Sequence, residues 1–333
     1  MAKTKPEEPP QRRAAHSDQE RGTRLLIVGG VAAVLLVVAG LIGFGWYQTQ
    51  IAPRAKTVLR VGETKFSLAH VESRMSLTFQ ENSSFFLQSP EFLDALPATV
   101  LNRLEQEAKL LEAAGELDDI TVSAEELDAK IREGGGLASD VSPSDFVAEL
   151  NRQIEESGLK ESEYLQMLRA ELLEAKVRTY FTDIAPEREP QVRARWIVLE
   201  EKEQADEALK RLEAGEDFAA VAGDLSTDTA TAEQGGELDW RPRGGSPFMP
   251  EEIEDFLFEA EPGQRSGVIS TSFGIHIVES LERDDDRELD EGQRPLVGSR
   301  LMTEWLDNLD EILNIKRDLT QEDAIRALNA VLS

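Results

Sequence analysis

The chain has 333 residues, a formal net charge of −29, no cysteine and only three histidines, His16, His70 and His276. The missing cysteines exclude disulfides, thiolate nucleophiles, cysteine zinc sites and a lipid anchor on an N-terminal cysteine. The acidic balance argues against a nucleic-acid partner, which needs clustered Lys and Arg, and three scattered histidines argue against a histidine-rich metal site.

Residues 1–24 are polar, contain Pro6, Pro9 and Pro10, and read as a disordered tail. Arg12, Arg13, Arg21 and Arg24 lead into Leu25 to Tyr47, which has no charged residue. At about 1.5 Å per residue that run is long enough for a hydrocarbon core of roughly 30 Å. Trp46-Tyr47 at its end suits a membrane interface. Gly45-Trp46-Tyr47-Gln48 offers no small-x-small cleavage site, so residues 25–47 are expected to be an uncleaved anchor. The arginines before it place the N-terminus in the cytoplasm and the bulk of the chain outside the cell membrane.

Gln48 to Lys56 reads as a short tether, and Val58 to Phe66 as a strand–turn–strand. Helical periodicity then dominates to about residue 182, with stripes Leu101, Leu104, Ala108, Leu111 and Leu165, Leu168, Leu172, Ala175. Ser123-Ala124-Glu125-Glu126 predicts a capping box, and Gly134-Gly135-Gly136 with Ser142-Pro143-Ser144 predicts a loop between helices.

Pro186 and Pro190 bracket a charged stretch that reads as a linker. Residues 192–199 and 274–281 are short and β-branched, and predict strands. Between them, three apolar stripes at helical spacing begin at Ala205, Phe218 and Ile253, with Gly215 as a stop after the first. This order defines a small α+β unit around one sheet. The run Arg283-Asp284-Asp285-Asp286-Arg287-Glu288 reads as a solvated linker. Met302, Trp305, Leu309 and Ile312 form a last stripe that needs a partner, and Leu165, Leu168 and Leu172 offer one. Gln321 to Ser333 reads as one more short helix.

Five motifs fall in order between Arg193 and Glu282: the strand Val192 to Leu199, Gly215-Glu216-Asp217-Phe218, Leu225-Ser226-Thr227-Asp228, Gly235-Gly236-Glu237-Leu238-Asp239-Trp240, and Phe273-Gly274-Ile275-His276-Ile277. This stretch resembles the parvulin (rotamase, PpiC) family of peptidyl-prolyl cis/trans isomerases. Val61-Gly62-Glu63, Ala114-Gly115, Val122 to Glu126 and Gly158-Leu159 before the Tyr164 helix resemble the N-terminal chaperone region of SurA-type and PrsA-type foldases. Together these resemblances imply a mainly helical chaperone domain over 57–186, completed by 295–333, and a parvulin-like α+β domain with a small antiparallel sheet over 188–284. They imply a foldase of secreted or envelope proteins that needs no cofactor and no metal and acts on X-Pro bonds of unfolded or nascent chains. The alternative is a non-catalytic chaperone that keeps the parvulin fold to bind peptides.

The family's polar cluster maps onto Trp196, Asp228 and His276, and its proline pocket onto Leu238, Met249 and Ile253, with Phe273 on the substrate side. Two departures stand out. Trp196 takes the place of a histidine in the first strand, and Asp239 stands where glycine is common. Indole is a donor only, whereas neutral imidazole donates and accepts. Weakened catalysis is the expectation.

Overall fold

The protein is described by a computed structural model that covers residues 35–246 and 249–332. The tail 1–24 and the first part of the expected anchor, residues 25–34, lie outside the described residues. Helix α1 (residues 35–46) continues into a π turn, Tyr47–Ile51, and its large apolar side chains are exposed. Among the described residues no helix is long and apolar enough to cross a membrane.

Strands β1 (Thr57–Val61) and β2 (Thr64–Ser67) form a hairpin that leads into α2 (Leu68–Glu81), whose N-cap Ser67 accepts a hydrogen bond from the His70 amide at 3.2 Å. Helices α3 (Ser83–Gln88) and α4 (Leu96–Ala113) follow. Helix α5 (Ala124–Gly135) opens with the expected capping box: Ser123 Oγ accepts from the Glu126 amide at 3.2 Å, and Glu126 accepts from the Ser123 amide at 2.8 Å. Helix α6 (Pro143–Ser157) starts on N-cap Ser142, and α7 (Glu161–Ile184) is the longest helix among the described elements.

Next come β3 (Arg188–Leu199), α8 (Lys202–Glu213), α9 (Phe218–Leu225), β4 (Glu237–Pro242), α10 (Glu251–Glu259), β5 (Ile269–Thr271) and β6 (Gly274–Glu288). Then α11 (Gln293–Ile312), β7 (Lys316–Arg317) and α12 (Gln321–Leu332) close the chain. Gly215 ends α8 as expected: its amide bonds Leu212 O at 3.2 Å and the Glu216 amide bonds Arg211 O at 3.1 Å, the two closing bonds of a Schellman motif.

Two compact units result, one from residues up to Arg60, 65–101 and 316 onward, the other from 61–64 and 102–315. In the first, β2, β1 and β7 form a three-stranded sheet and α12 packs on α2. The second holds helices α5 to α7 and α11 together with the antiparallel sheet β4-β3-β6-β5. One face of that sheet buries Ile197, Leu199 and Ile277 against Ala205, Ala208 and Leu212 of α8 and Phe218 and Val221 of α9. Its other face buries Val192, Ala194, Val278 and Leu238 of β4 against Ile253 and Leu257 of α10. Full burial of one such large side chain is worth about 1.5–3 kcal/mol, against about 0–1 kcal/mol for an exposed ion pair. The helices are therefore held on the sheet by these two clusters.

Several expectations are corrected. The charged run 283–288 is no linker but the outer half of β6, because Arg188 faces Asp286 at 3.1 Å and Glu288 at 3.9 Å across the ladder. The stretch between Pro186 and Pro190 is likewise strand from Arg188; Pro190, which lacks an N–H, sits where the β3–β6 register shifts. The buried face of α7 is Tyr164, Leu168, Ala170, Leu173, Val177 and Phe181, whereas Leu165 and Leu172 are half-buried and Ala175 is exposed. This helix is covered from several sides, by α5, α6 and α11, so no single stripe describes it. Met302 of α11 consequently packs on Leu173, Val177 and Phe181, not on 165–172, and Ile312 is exposed.

The α7–α11 crossing is set by Gly298. A Cβ there would lie 2.7 Å from Thr182 Cα, a clash with backbone. Alanine is the better helix former by about 1 kcal/mol, yet overpacking costs about 1–3 kcal/mol. Gly298→Ala is expected to lower the denaturant midpoint of the full chain, and Gly298→Val to lower it further. A midpoint raised by alanine would show that the helices are free to part.

Candidate active site

Strand alternation sets which side chains meet. Trp196 of β3 lies across from Val278 of β6, and His276 lies across from Val198 of β3 and Ile269 of β5. Ala194, Trp196, His276 and Val278 therefore share the sheet face covered by α10. The Trp196 amide donates to Gly236 O at 2.9 Å. Gly236 has φ +76°, and a Cβ there would stand 2.1 Å from Trp196 O, so only glycine lets β4 start this close.

The turn after α9 is stitched to the same strand. Ser226 Oγ accepts from the Val198 amide at 3.1 Å, and the Thr227 amide donates to Val198 O at 2.8 Å. Asp228 caps this turn: its carbonyl accepts from Ala232 N at 2.9 Å and its Oδ1 from Ala230 N at 3.2 Å. Its other carboxylate oxygen is turned to the sheet. Trp196 Nε1 donates to Asp228 Oδ2 at 2.7 Å, and Thr231 Oγ1 donates to the same oxygen at 2.5 Å. Trp196 Nε1 is also 3.1 Å from Thr231 Oγ1.

His276 is buried, with its ring 5.7 Å from the Trp196 ring at an interplanar angle of 51°. Its Nδ1 is 3.5 Å from Thr271 Oγ1. Burial pushes its pKa below the usual 6.5, opposed in part by a backbone hydrogen bond at Gly274, so the ring is neutral at pH 7. Leu238, Met249, Ile253 and Trp196 belong to one apolar cluster. Ile253 is 0% exposed and forms its base, Leu238 is buried, and Met249 is half-buried at its edge. Phe273 is 61% exposed in the β5–β6 turn, outside that cluster.

The structure thus brings Trp196, Asp228 and His276 together beside Leu238, Met249 and Ile253, and leaves Phe273 at the rim. Sequence reasoning missed Thr231 and Thr271, and placed Ser226 in a motif without giving it a role. The signal for Thr231 was its place three residues after Asp228, within reach of a carboxylate that caps the same turn.

Residues 199–282 match the family model of the PPIC-type PPIASE domain, and residues 19–178 match that of the SurA-like N-terminal domain. The chain thus combines a parvulin-type rotamase domain with a SurA-like N-terminal domain. Trp196 lies just before the matched rotamase span. The chain is similar to foldase protein PrsA 3 of Bacillus cereus, 30% identical over 53% of this chain and 59% of that protein. It is similar to foldase protein PrsA of Caldanaerobacter subterraneus subsp. tengcongensis, 31% identical over 58% of this chain and 59% of that protein. With foldase protein PrsA of Oceanobacillus iheyensis the identity is 27% over 62% of this chain and 78% of that protein. The chain spans 59% of the length of the first two of these relatives.

The buried imidazole makes stability depend on pH. A histidine whose folded pKa lies below its unfolded value binds fewer protons in the folded state. Its contribution is full above about pH 6.5, and is lost as pH falls through the depressed folded pKa. The melting temperature of the chain should drop between pH 7.5 and 5 by more than that of His276→Gln. Parallel pH profiles for the two would show that the ring is charged in place.

Proposed function

We propose that this chain is a membrane-anchored extracytoplasmic foldase that isomerises X-Pro bonds in unfolded secreted or envelope proteins. In this reading residues 1–24 are a cytoplasmic tail, 25–47 the anchor, 57–186 with 295–333 the chaperone domain, and 188–284 the isomerase domain. The observation that carries it is the convergence of the Trp196–Asp228–Thr231 hydrogen bonds and the neutral His276 on the apolar cluster of Leu238, Met249 and Ile253.

Rotation about a peptide bond faces a barrier of about 18–20 kcal/mol, and lowering it needs no nucleophile. A site must hold the proline ring away from water and favour the charge distribution of the twisted amide over that of the planar one. Leu238 and Met249 receive the ring, Ile253 supports them from the core, and Phe273 shields the rim. Asp228, held by Trp196 and Thr231, supplies a fixed negative charge, and neutral His276 supplies a polar edge whose protonation would disturb that field. Tenfold in rate needs only about 1.4 kcal/mol of differential stabilisation.

Trp196 favours a second reading. Its indole keeps the donor to Asp228 but offers no acceptor, so a peptide-binding chaperone with little turnover also fits. Turnover of a proline peptide separates the two. Weak but measurable activity is expected, raised by Trp196→His and lowered by Met249→Ala, with both variants folded. No activity in wild type or Trp196→His would favour the binding reading. Full activity indifferent to Trp196→His would show that the exchange has no catalytic consequence.

Orientation is tested separately. Protease added to intact spheroplasts should digest the chain after Gln48 and spare the tail, and protection of the large domains would overturn the topology.

A further inference from the structure

The first unit carries a charge pattern at odds with a chain of net charge −29. Arg60 of β1 lies directly across from Lys316 of β7. On the other side of β1, the two-residue turn Gly62-Glu63 sets Lys65 of β2 beside Arg60, with Phe66 turned inward and Lys65 outward. Lys65, Arg60 and Lys316 therefore form one cationic row across three strands. None of them forms an ion pair among the described residues. Like charges directly opposite on a sheet are destabilising, so the fold carries this row at a cost.

The cations just before it are used differently. Arg54 bonds the buried Glu72 at 2.5 Å, and Lys56 bonds Asp323 at 2.6 Å. The Ala69 amide donates to Arg54 O at 2.8 Å and the Leu68 amide to Lys56 O at 2.9 Å. Residues 54–56, expected as a tether, are thus fastened to α2 and α12. From Ile51, where the apolar helical segment ends, to Arg60 the chain can reach at most about 30 Å. That segment exposes Leu35, Leu36, Leu41, Ile42 and Phe44, and closes on exposed Trp46 and Tyr47, aromatics suited to a headgroup layer.

The geometry points to the row Lys65–Arg60–Lys316 as a docking face for anionic phospholipid headgroups, holding the first unit against the membrane that carries its anchor. The choice of occupant rests on the anchor proposed above, on the fastened stalk that keeps the row near it, and on charge complementarity. Each basic residue near an anionic surface is worth about a fivefold gain in the docked population, and three together on the order of 100-fold.

The test uses the full chain in nanodiscs. The absence of native cysteine allows a single dye at Thr57→Cys, read by energy transfer to an acceptor on lipid headgroups. Transfer should rise when phosphatidylglycerol replaces part of the phosphatidylcholine, and fall in about 0.5 M salt, where screening is short-ranged. Lys316→Gln should lose about fivefold of the docked population, and Arg60→Gln/Lys65→Gln/Lys316→Gln should return it to the neutral-lipid level. Circular dichroism confirms folding, since Lys65 and Lys316 are exposed. Equal transfer in neutral and anionic discs, or transfer unmoved by the triple substitution, would overturn the proposal. So would displacement of the signal by soluble polyglutamate at neutral discs, which would make an acidic polypeptide the occupant. Salt-resistant flotation with neutral vesicles reports the anchor by itself. If flotation fails while the charge-dependent signal persists, the row stands and the anchor falls; the converse leaves the anchor and removes the row.

Discussion

Everything in the rotamase domain hangs on the pairing of β3 with β6. It joins Leu199 to Ile275 at one end and Arg188 to Glu288 at the other, so the chain between must return on itself over a long loop. Such non-local pairing is entropically costly and needs cross-strand compensation. Ion pairs run along its length, with Arg195 on Glu279 at 3.2 Å, Arg193 on Glu282, and Arg188 on Asp286. Arg195–Glu279 is half-buried, and the two outer, solvent-facing pairs set register more than stability. The energy comes from the two faces, and a slip of one residue would turn Ile197 and Ile277 out of one core and Val278 out of the other.

The same ladder explains how tryptophan occupies a place where the resembled family has histidine. Trp196 is in the C-terminal part of β3, with its backbone fixed by Gly236 and its ring half-buried. An indole buried without a partner for its N–H would be costly. The turn from Ser226 to Ala232 supplies that partner, because Asp228 spends one oxygen on capping and keeps the other for the indole. Asp228 thus serves the turn with one oxygen and the indole with the other. What the exchange removes is an acceptor next to His276, and the two rings meet only through a tilted contact.

Much of this was legible in the sequence, for identifiable reasons. The helices α8, α9 and α10 are amphipathic with one buried side, so a 3.6-residue stripe located each of them. Ser123 and Gly215 are local signals whose hydrogen bonds involve only near neighbours, and both formed as read. β4 and β5 were not seen, because Glu237–Pro242 and Ile269–Thr271 are too short for periodicity to speak. The end of β6 was mistaken for solvated linker since its residues are charged on both faces; only the distant arginines of β3 make it a strand. Phe86, stacked at 5.8 Å on Phe79, and its neighbours Phe85 and Phe92 also gave no periodic signal. At the site, the apolar cluster was readable from residue type, but Thr231 was not, because its function arises from a hydroxyl aimed across a turn.

Helix α11 then decides which parts of the site can yield. Gln293 Nε2 donates to Trp240 O at 2.7 Å and to Gln191 Oε1 at 3.2 Å, and so ties the helix start to β4 and to the fully buried bulge of β3. Arg294 donates to Asp183 O at 3.1 Å and Ala185 O at 3.2 Å, cation to helix C-terminus, the favourable sense of the helix dipole. Arg300 Nη2 donates to both oxygens of Glu189 at 2.7 and 3.0 Å while its Nη1 donates to Glu304 at 2.9 Å, so the half-buried guanidinium is held from two sides. The Arg188 end of β3 is therefore one block with α7 and α11. Trp196 stands five residues beyond Gln191, about 17 Å along the strand, inside the same continuous ladder. A strand fixed in this way cannot slide along its neighbours. The floor of the apolar cluster is a rigid reference, and the freedom around it lies in side chains at its edge, half-buried Met249 first and exposed Phe273 beyond it.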